Sequence, residues 1–139
     1  MEAYQLSTRA GYVGFEWERL EDVFSKLQEE VAELRAEAGE SQNELKSSNL
    51  SNDSAHRARL EDEIGDFLFT AVNVARYLGV DAESALRGTN RKFRRRFQRI
   101  ERELAAAGKS PREATLAEMD ALWDRAKEGE QVIKNELGE

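Results

Sequence analysis

Between Leu20 and Leu34 the apolar residues Leu20, Phe24, Leu27, Val31 and Leu34 recur alternately four and three positions apart. That spacing, with Trp17 ahead of it, lays them on one stripe of a helix predicted over 17–38, with Gly39 as its stop. From Glu40 to His56 the chain is rich in Ser, Asn and Asp and has no apolar period, which predicts an exposed, mobile polar loop over about 40–56. A second helix is predicted over 58–78, carrying Leu60, Ile64, Phe67, Leu68, Ala71, Val72, Val74, Ala75 and Leu78, with Gly79 closing it. Its apolar residues cover most of the circumference between Ile64 and Ala75, so burial on two sides is expected, by neighbouring helices and by another subunit. A third helix starts after Asp81 as N-cap and runs to about Ala107, with Leu86, Phe93, Phe97, Ile100 and Leu104 on one face and Gly108 at its end. Beyond Pro111, Thr115 and Glu118 have the spacing of a capping box, opening a fourth helix with Leu116, Met119, Leu122, Trp123 and Ala126. The segment before Trp17 reads as a short helix or an arm, and the tail 129–139 as frayed. Four amphipathic helices predict an all-α fold, a four-helix bundle with its core in 13–128.

Composition narrows the chemistry. The 139 residues suit a single domain spanning 1–139, and 40% hydrophobic with 35% charged residues is a folded composition. Without cysteine, the chain has no disulfide, thiolate metal site or thiol nucleophile. His56 is the one histidine, which removes multi-histidine metal sites; in the predicted loop it is read as inert. No apolar run approaches the roughly 20 residues of a membrane span, and the N-terminus has no signal-peptide pattern, so a cytoplasmic location is expected. The net charge of -7 disfavours general nucleic-acid binding.

Chemistry must then run on carboxylates, cations and a metal. Glu30 and Glu33 are an i, i+3 pair flanking the apolar stripe of the first helix, and Glu63 and Asp66 repeat that arrangement on the second. Acidic helix faces are usually only solvated, the reading given to Glu21, Glu29 and Glu37 taken singly. If the two helices pack, however, four carboxylates converge and repel, and a divalent cation is the natural remedy. Oxygen-only ligands favour Mg2+, with Mn2+ able to substitute, and Mg2+ commonly keeps substrate phosphate in its shell. On the third helix eight cationic residues between Arg87 and Arg102 face one acid, Glu101; of these, Lys92 and Arg96 are an i, i+4 pair able to grip phosphate oxygens. Lys26 lies one turn before Glu30, placed to pair with carboxylates or reach phosphate. Asn73, in an apolar segment, needs a partner, whether a base, a ribose or the bundle itself. Trp123 fits the core period, and with Lys127 one turn later could cover a base and hold phosphate.

The string Lys26-x-x-Glu29-Glu30-x-x-Glu33 followed by Glu63-Ile64-Gly65-Asp66 resembles the signature of the MazG family of all-α nucleoside triphosphate pyrophosphohydrolases. The resemblance runs from about Val13 to Lys127, includes DFLFTAVNVARYLGV at 66–80 and ALRGTNRKFRRRF at 85–97, and is greatest to the C-terminal domain of two-domain MazG proteins. It implies that Glu30, Glu33, Glu63 and Asp66 hold Mg2+, with Glu29 also in the catalytic motif. It further implies that Lys92 and Arg96 bind phosphates, that Trp123 and Lys127 help form the nucleotide pocket, and that the protein is a homodimer. The implied reaction is NTP plus water giving NMP and pyrophosphate, in the service of nucleotide-pool housecleaning. The polar segment between the carboxylate pairs is longer than in the most similar MazG domains.

Three readings compete with this one. On the same fold, a dUTP or dCTP pyrophosphatase or a phosphoribosyl-ATP pyrophosphohydrolase would share the metal site and differ in the pocket. A non-catalytic helical dimerisation or regulatory module would keep the fold without turnover, though all four metal positions are acidic here. A nucleic-acid binder would use the Arg-rich face of the third helix, where Phe93 and Phe97 fit the core period better than a stacking platform.

Overall fold

The computed structural model describes the backbone over residues 1–44 and 50–137, and side chains over 1–39 and 54–131. Among the described residues there are five helices and no strand: α1 (Glu2–Tyr12), α2 (Leu20–Glu44), α3 (Leu50–Tyr77), α4 (Ala82–Ala106) and α5 (Leu116–Leu137). The fold is all-α, as the periodicity predicts, with the segment before Trp17 adding a helix. The helices group into two compact units, Met1–Glu83 and Ser84–Glu139.

In the first unit α3 packs against both α2 and α1. Contacts along the α2–α3 seam run in opposite chain directions: Glu37 meets His56 and Arg59, Glu30 and Glu33 meet Glu63, and the Trp17 carbonyl accepts from the Tyr77 hydroxyl. The two helices are therefore an antiparallel pair. α2 starts at Leu20, later than the apolar period suggests, and the Trp17 carbonyl ahead of it accepts from the Tyr77 hydroxyl. It also continues through Gly39 to Glu44, since a glycine inside a helix costs about 1 kcal/mol relative to alanine and does not by itself end one. The polar loop expected over 40–56 is thus corrected: residues 40–44 and 50–56 are helical, and 45–49 lie outside the described residues. At the other end of α3 the expected stop holds. Gly79 has φ 68°, with Val80 N donating to the Ala75 carbonyl and Gly79 N to the Arg76 carbonyl, a left-handed cap that suits a residue without Cβ.

The second unit is the α4–α5 pair. Ile100, Leu104 and Leu122 form its buried centre, with Phe97, Ala114, Met119 and Trp123 packed against them. Leu86 and Phe93, on the same predicted face, remain exposed. Gly108 closes α4 as Gly79 closes α3, with Lys109 N donating to the Leu104 carbonyl at 2.9 Å. The capping box is formed: Thr115 N donates to Glu118 Oε2 at 2.8 Å and Glu118 N to Thr115 Oγ1 at 3.2 Å. Lys109 adds an ion pair to Glu118 at 2.7 Å, which with the box holds the Glu118 carboxyl below its ordinary range. Replacing Thr115 by Ala should cost about 1 kcal/mol in urea unfolding, and no measurable loss would mean that the box does not anchor α5. The tail is corrected as well: α5 runs past Gly129 to Leu137.

Candidate functional site

The most buried side of α2 runs along one flank of the apolar stripe, of which Leu20, Leu27, Val31 and Leu34 are half-buried. Val23 is fully buried and Glu30 is 3% exposed, with half-buried Leu27 between them and half-buried Leu34 and Glu37 beyond, whereas Phe24 is exposed. Carboxylates therefore occupy seam positions that hydrophobic side chains would normally fill. Across the seam Glu63 is half-buried on α3, and one oxygen each of Glu30, Glu33 and Glu63 lie within 4.8 Å of one another. Three of the four predicted metal ligands thus converge. Asp66, one turn beyond Glu63, is exposed and stands outside that trio, though near enough for its charge to act on Glu63.

One cation partly balances the cluster. Lys26 Nζ lies 2.8 Å from Glu30 Oε1 and 3.1 Å from an oxygen of exposed Glu29, and these bonds, Glu30 first, push the lysine pKa well above its usual range. Glu30 Oε2, by contrast, is buried with no hydrogen-bond partner. Leaving such an atom unmatched costs free energy that a ligand to it would recover. Burial first, then the charges of Glu33, Glu30, Asp66 and Asp62, raise the Glu63 pKa. An orphaned carboxylate oxygen beside two further carboxylates, with one of them resisting ionisation, fits a hard divalent cation.

Residues flanking the cluster carry interactions the periodicity did not reveal. His56 is buried, not in a loop, and its Nδ1 lies 2.8 Å from Glu37 Oε1, which also accepts from Arg59 Nε at 2.6 Å. Arg59, and after it His56, hold the Glu37 carboxyl below its ordinary range. Its partners are far along the chain from Glu37, so no local pattern could have shown them. Asn73 is fully buried; its Nδ2 donates to the Phe69 carbonyl at 3.1 Å and its Oδ1 accepts from Arg76 Nε at 3.3 Å. Arg76 continues to Glu16 at 2.7 Å and lies over the Tyr77 ring, while partners within α3 itself account for both ends of the Asn73 amide.

The second unit carries the other predicted groups. Lys92 is exposed on α4. The Arg96 guanidinium lies 5.3 Å from the centroid of the half-buried Trp123 ring, which also meets Phe93 at 5.3 Å. Lys127 is exposed, with Nζ 3.5 Å from Asp124 Oδ1. Sequence reasoning missed Glu130, which binds both Arg95 and Arg96 and whose carboxyl they hold below its ordinary range, Arg96 foremost.

Residues 19–100 match the sequence profile described as the MazG nucleotide pyrophosphohydrolase domain. The chain is 38% identical over 130 residues to the nucleoside triphosphate pyrophosphohydrolase of Escherichia coli K12, covering 94% of this chain and 45% of that protein. It is 36% identical over 130 residues to the nucleoside triphosphate pyrophosphohydrolase/pyrophosphatase MazG of Thermotoga maritima, covering 94% and 44%. To YabN of Bacillus subtilis it is 44% identical over 80 residues, covering 58% and 16%. The chain spans about half the length of the Escherichia coli and Thermotoga relatives.

Proposed function

The chain belongs to the MazG nucleotide pyrophosphohydrolase family, and from that premise we propose that it is a Mg2+-dependent nucleoside triphosphate pyrophosphohydrolase. The observation that carries this reading is the orphaned, buried Glu30 Oε2 within the Glu30–Glu33–Glu63 cluster, a donor set suited to a hard cation. In the reaction, water adds to the α-phosphorus, the bond from that phosphorus to the oxygen bridging it to the β-phosphorus breaks, and pyrophosphate departs with that oxygen, leaving NMP. Glu30, Glu33 and Glu63, with Asp66 one turn away, would hold a divalent cation, which would supply Lewis-acid polarisation and neutralise triphosphate charge.

The protein's own groups have separable roles. Lys26 holds Glu30 through Oε1 and leaves Oε2 without a partner, while Glu29 shares that lysine. Lys92 and Arg96 are assigned to phosphate oxygens, and the Trp123 ring with Lys127 to the nucleotide. Asn73 is assigned a supporting part, holding Arg76 and the α3 backbone. The exposed Ile64 and Leu68 on α3 support a homodimer. No helix among the described residues is long and apolar enough to cross a membrane; we place the enzyme in the cytoplasm, acting on the nucleotide pool as a housecleaning enzyme.

The test is a panel of NTPs and dNTPs incubated with and without Mg2+, with products resolved by ion-exchange chromatography. NMP and pyrophosphate appearing only with Mg2+ is the expected result, and the ranking of substrates separates a broad enzyme from a dUTP- or dCTP-selective one. NDP and phosphate as products would overturn the mechanism.

A further inference from the structure

We infer that Glu130 is a positioning residue that locks the Arg96 guanidinium against the Trp123 ring and presents its outer edge to substrate phosphate. The inference rests on the assignment of Arg96 to phosphate made above.

The geometry lies wholly within the α4–α5 unit. Glu130 divides its carboxylate between consecutive arginines: Oε2 accepts from Arg96 Nε at 2.9 Å and Nη2 at 2.7 Å, and Oε1 accepts from Arg95 Nε at 3.0 Å and Nη2 at 2.8 Å. The two arginines are not equivalent. Arg95 keeps 61% of its side-chain surface exposed, while Arg96 keeps 15% and lies over the Trp123 ring. Both bonds to Glu130 use the side of the Arg96 guanidinium that carries Nε and Nη2. The opposite edge, formed by Nη1 and the second Nη2 proton, is the one that grips phosphate in a fork.

Glu130 therefore orients Arg96 without consuming the donors a phosphate needs. A long side chain anchored along one edge and stacked on one face has little rotamer freedom left to lose when substrate arrives. Phosphate binding should weaken when that anchor is removed, even though Glu130 itself touches no substrate. A carboxylate merely occupying the place of phosphate would act in the opposite direction, because its removal would free the arginine.

The test compares Glu130→Ala, Glu130→Gln, Arg96→Ala and the double variant Glu130→Ala/Arg96→Ala in the full chain. The readouts are KM and kcat for the best nucleotide and the inhibition constant of inorganic triphosphate with Mg2+. Glu130→Ala should raise KM and that inhibition constant about fivefold or more with kcat within about twofold. Glu130→Gln, whose amide oxygen still accepts from Arg96, should recover part of the loss, a rescue that also guards against a folding defect in the alanine variant. In the Arg96→Ala background Glu130→Ala should add nothing. If Arg96→Ala raises KM and the Glu130 variants do not, the positioning role is wrong and the phosphate assignment stands. If Arg96→Ala leaves KM unchanged, the phosphate assignment itself fails. A KM lowered by Glu130→Ala would identify a competitor for phosphate and overturn the inference.

Discussion

A Glu63→Gln protein is expected to turn nucleotide over at least about a thousandfold more slowly than the parent and yet to melt at a higher temperature in EDTA. The two effects share one cause. Glu63 stands beside Glu30 and Glu33, and burial together with those charges and Asp66 and Asp62 pushes its pKa above 4.5. Without a cation the ionised trio is self-repelling, so an uncharged amide of the same shape relieves the fold; with a cation the same substitution removes a ligand. The pH dependence has a fixed sign. A carboxyl whose pKa is raised on folding holds its proton more tightly in the native state than in the unfolded chain. Its contribution to stability in EDTA therefore falls as pH rises from 4.5 through the raised native value, and the Gln variant should show a flatter profile there. Turnover at limiting Mg2+ should fall in the reverse direction, as acid protonates a ligand that must be ionised to bind metal. Melting scans in EDTA and in Mg2+, beside initial rates, check all of this. Parental rates would remove Glu63 from the metal site, and a lower melting temperature in EDTA would show that its charge stabilises the fold.

That cluster was legible in the sequence for a physical reason: i, i+3 carboxylates on two amphipathic helices are constrained to one face by helix geometry alone. What periodicity does not show is that the most buried line of α2, through Val23 and Glu30, lies on one flank of the stripe, because it ranks positions by hydrophobicity and so includes the exposed Phe24. In a seam that hosts a site, the polar residues occupy buried positions, and a hydrophobic stripe points slightly away from them. Helix ends were readable where a cap is local, as at Thr115 with Glu118 and at Gly79. They differ from the sequence reading where a glycine lies inside a helix without ending it, as at Gly39 and Gly129. His56 with Glu37, and Arg96 with Glu130, illustrate the limit: each pair joins different helices, and no neighbour in sequence signals the partner. Asn73 was flagged correctly as needing a partner, and the partner proved to be Arg76.

Leu104→Ala should destabilise the protein by about 2–5 kcal/mol, a large share of the roughly 5–15 kcal/mol typical of a folded domain. The buried centre of the second unit is small, with Ile100, Leu104 and Leu122 between two helices, and Leu104 is 4% exposed. Truncating it opens a space that Ile100 and Leu122 cannot close without moving α5 toward α4. Such a movement would disturb Trp123, which rests on the same cluster and underlies the Arg96 guanidinium. The chain has two tryptophans, so urea unfolding can be followed in a Trp17→Phe background in which Trp123 alone reports on this unit. Leu116→Ala supplies the control. Leu116 is exposed at the start of α5, and its loss should change stability by less than about 0.5 kcal/mol. A Leu104→Ala cost below about 1 kcal/mol would mean that the helices collapse onto the smaller side chain, and kcat/KM should then change through a displaced Trp123. A cost in the full range, with parental kcat/KM per folded molecule, would mean that the cavity stays open and the platform beneath Arg96 keeps its place.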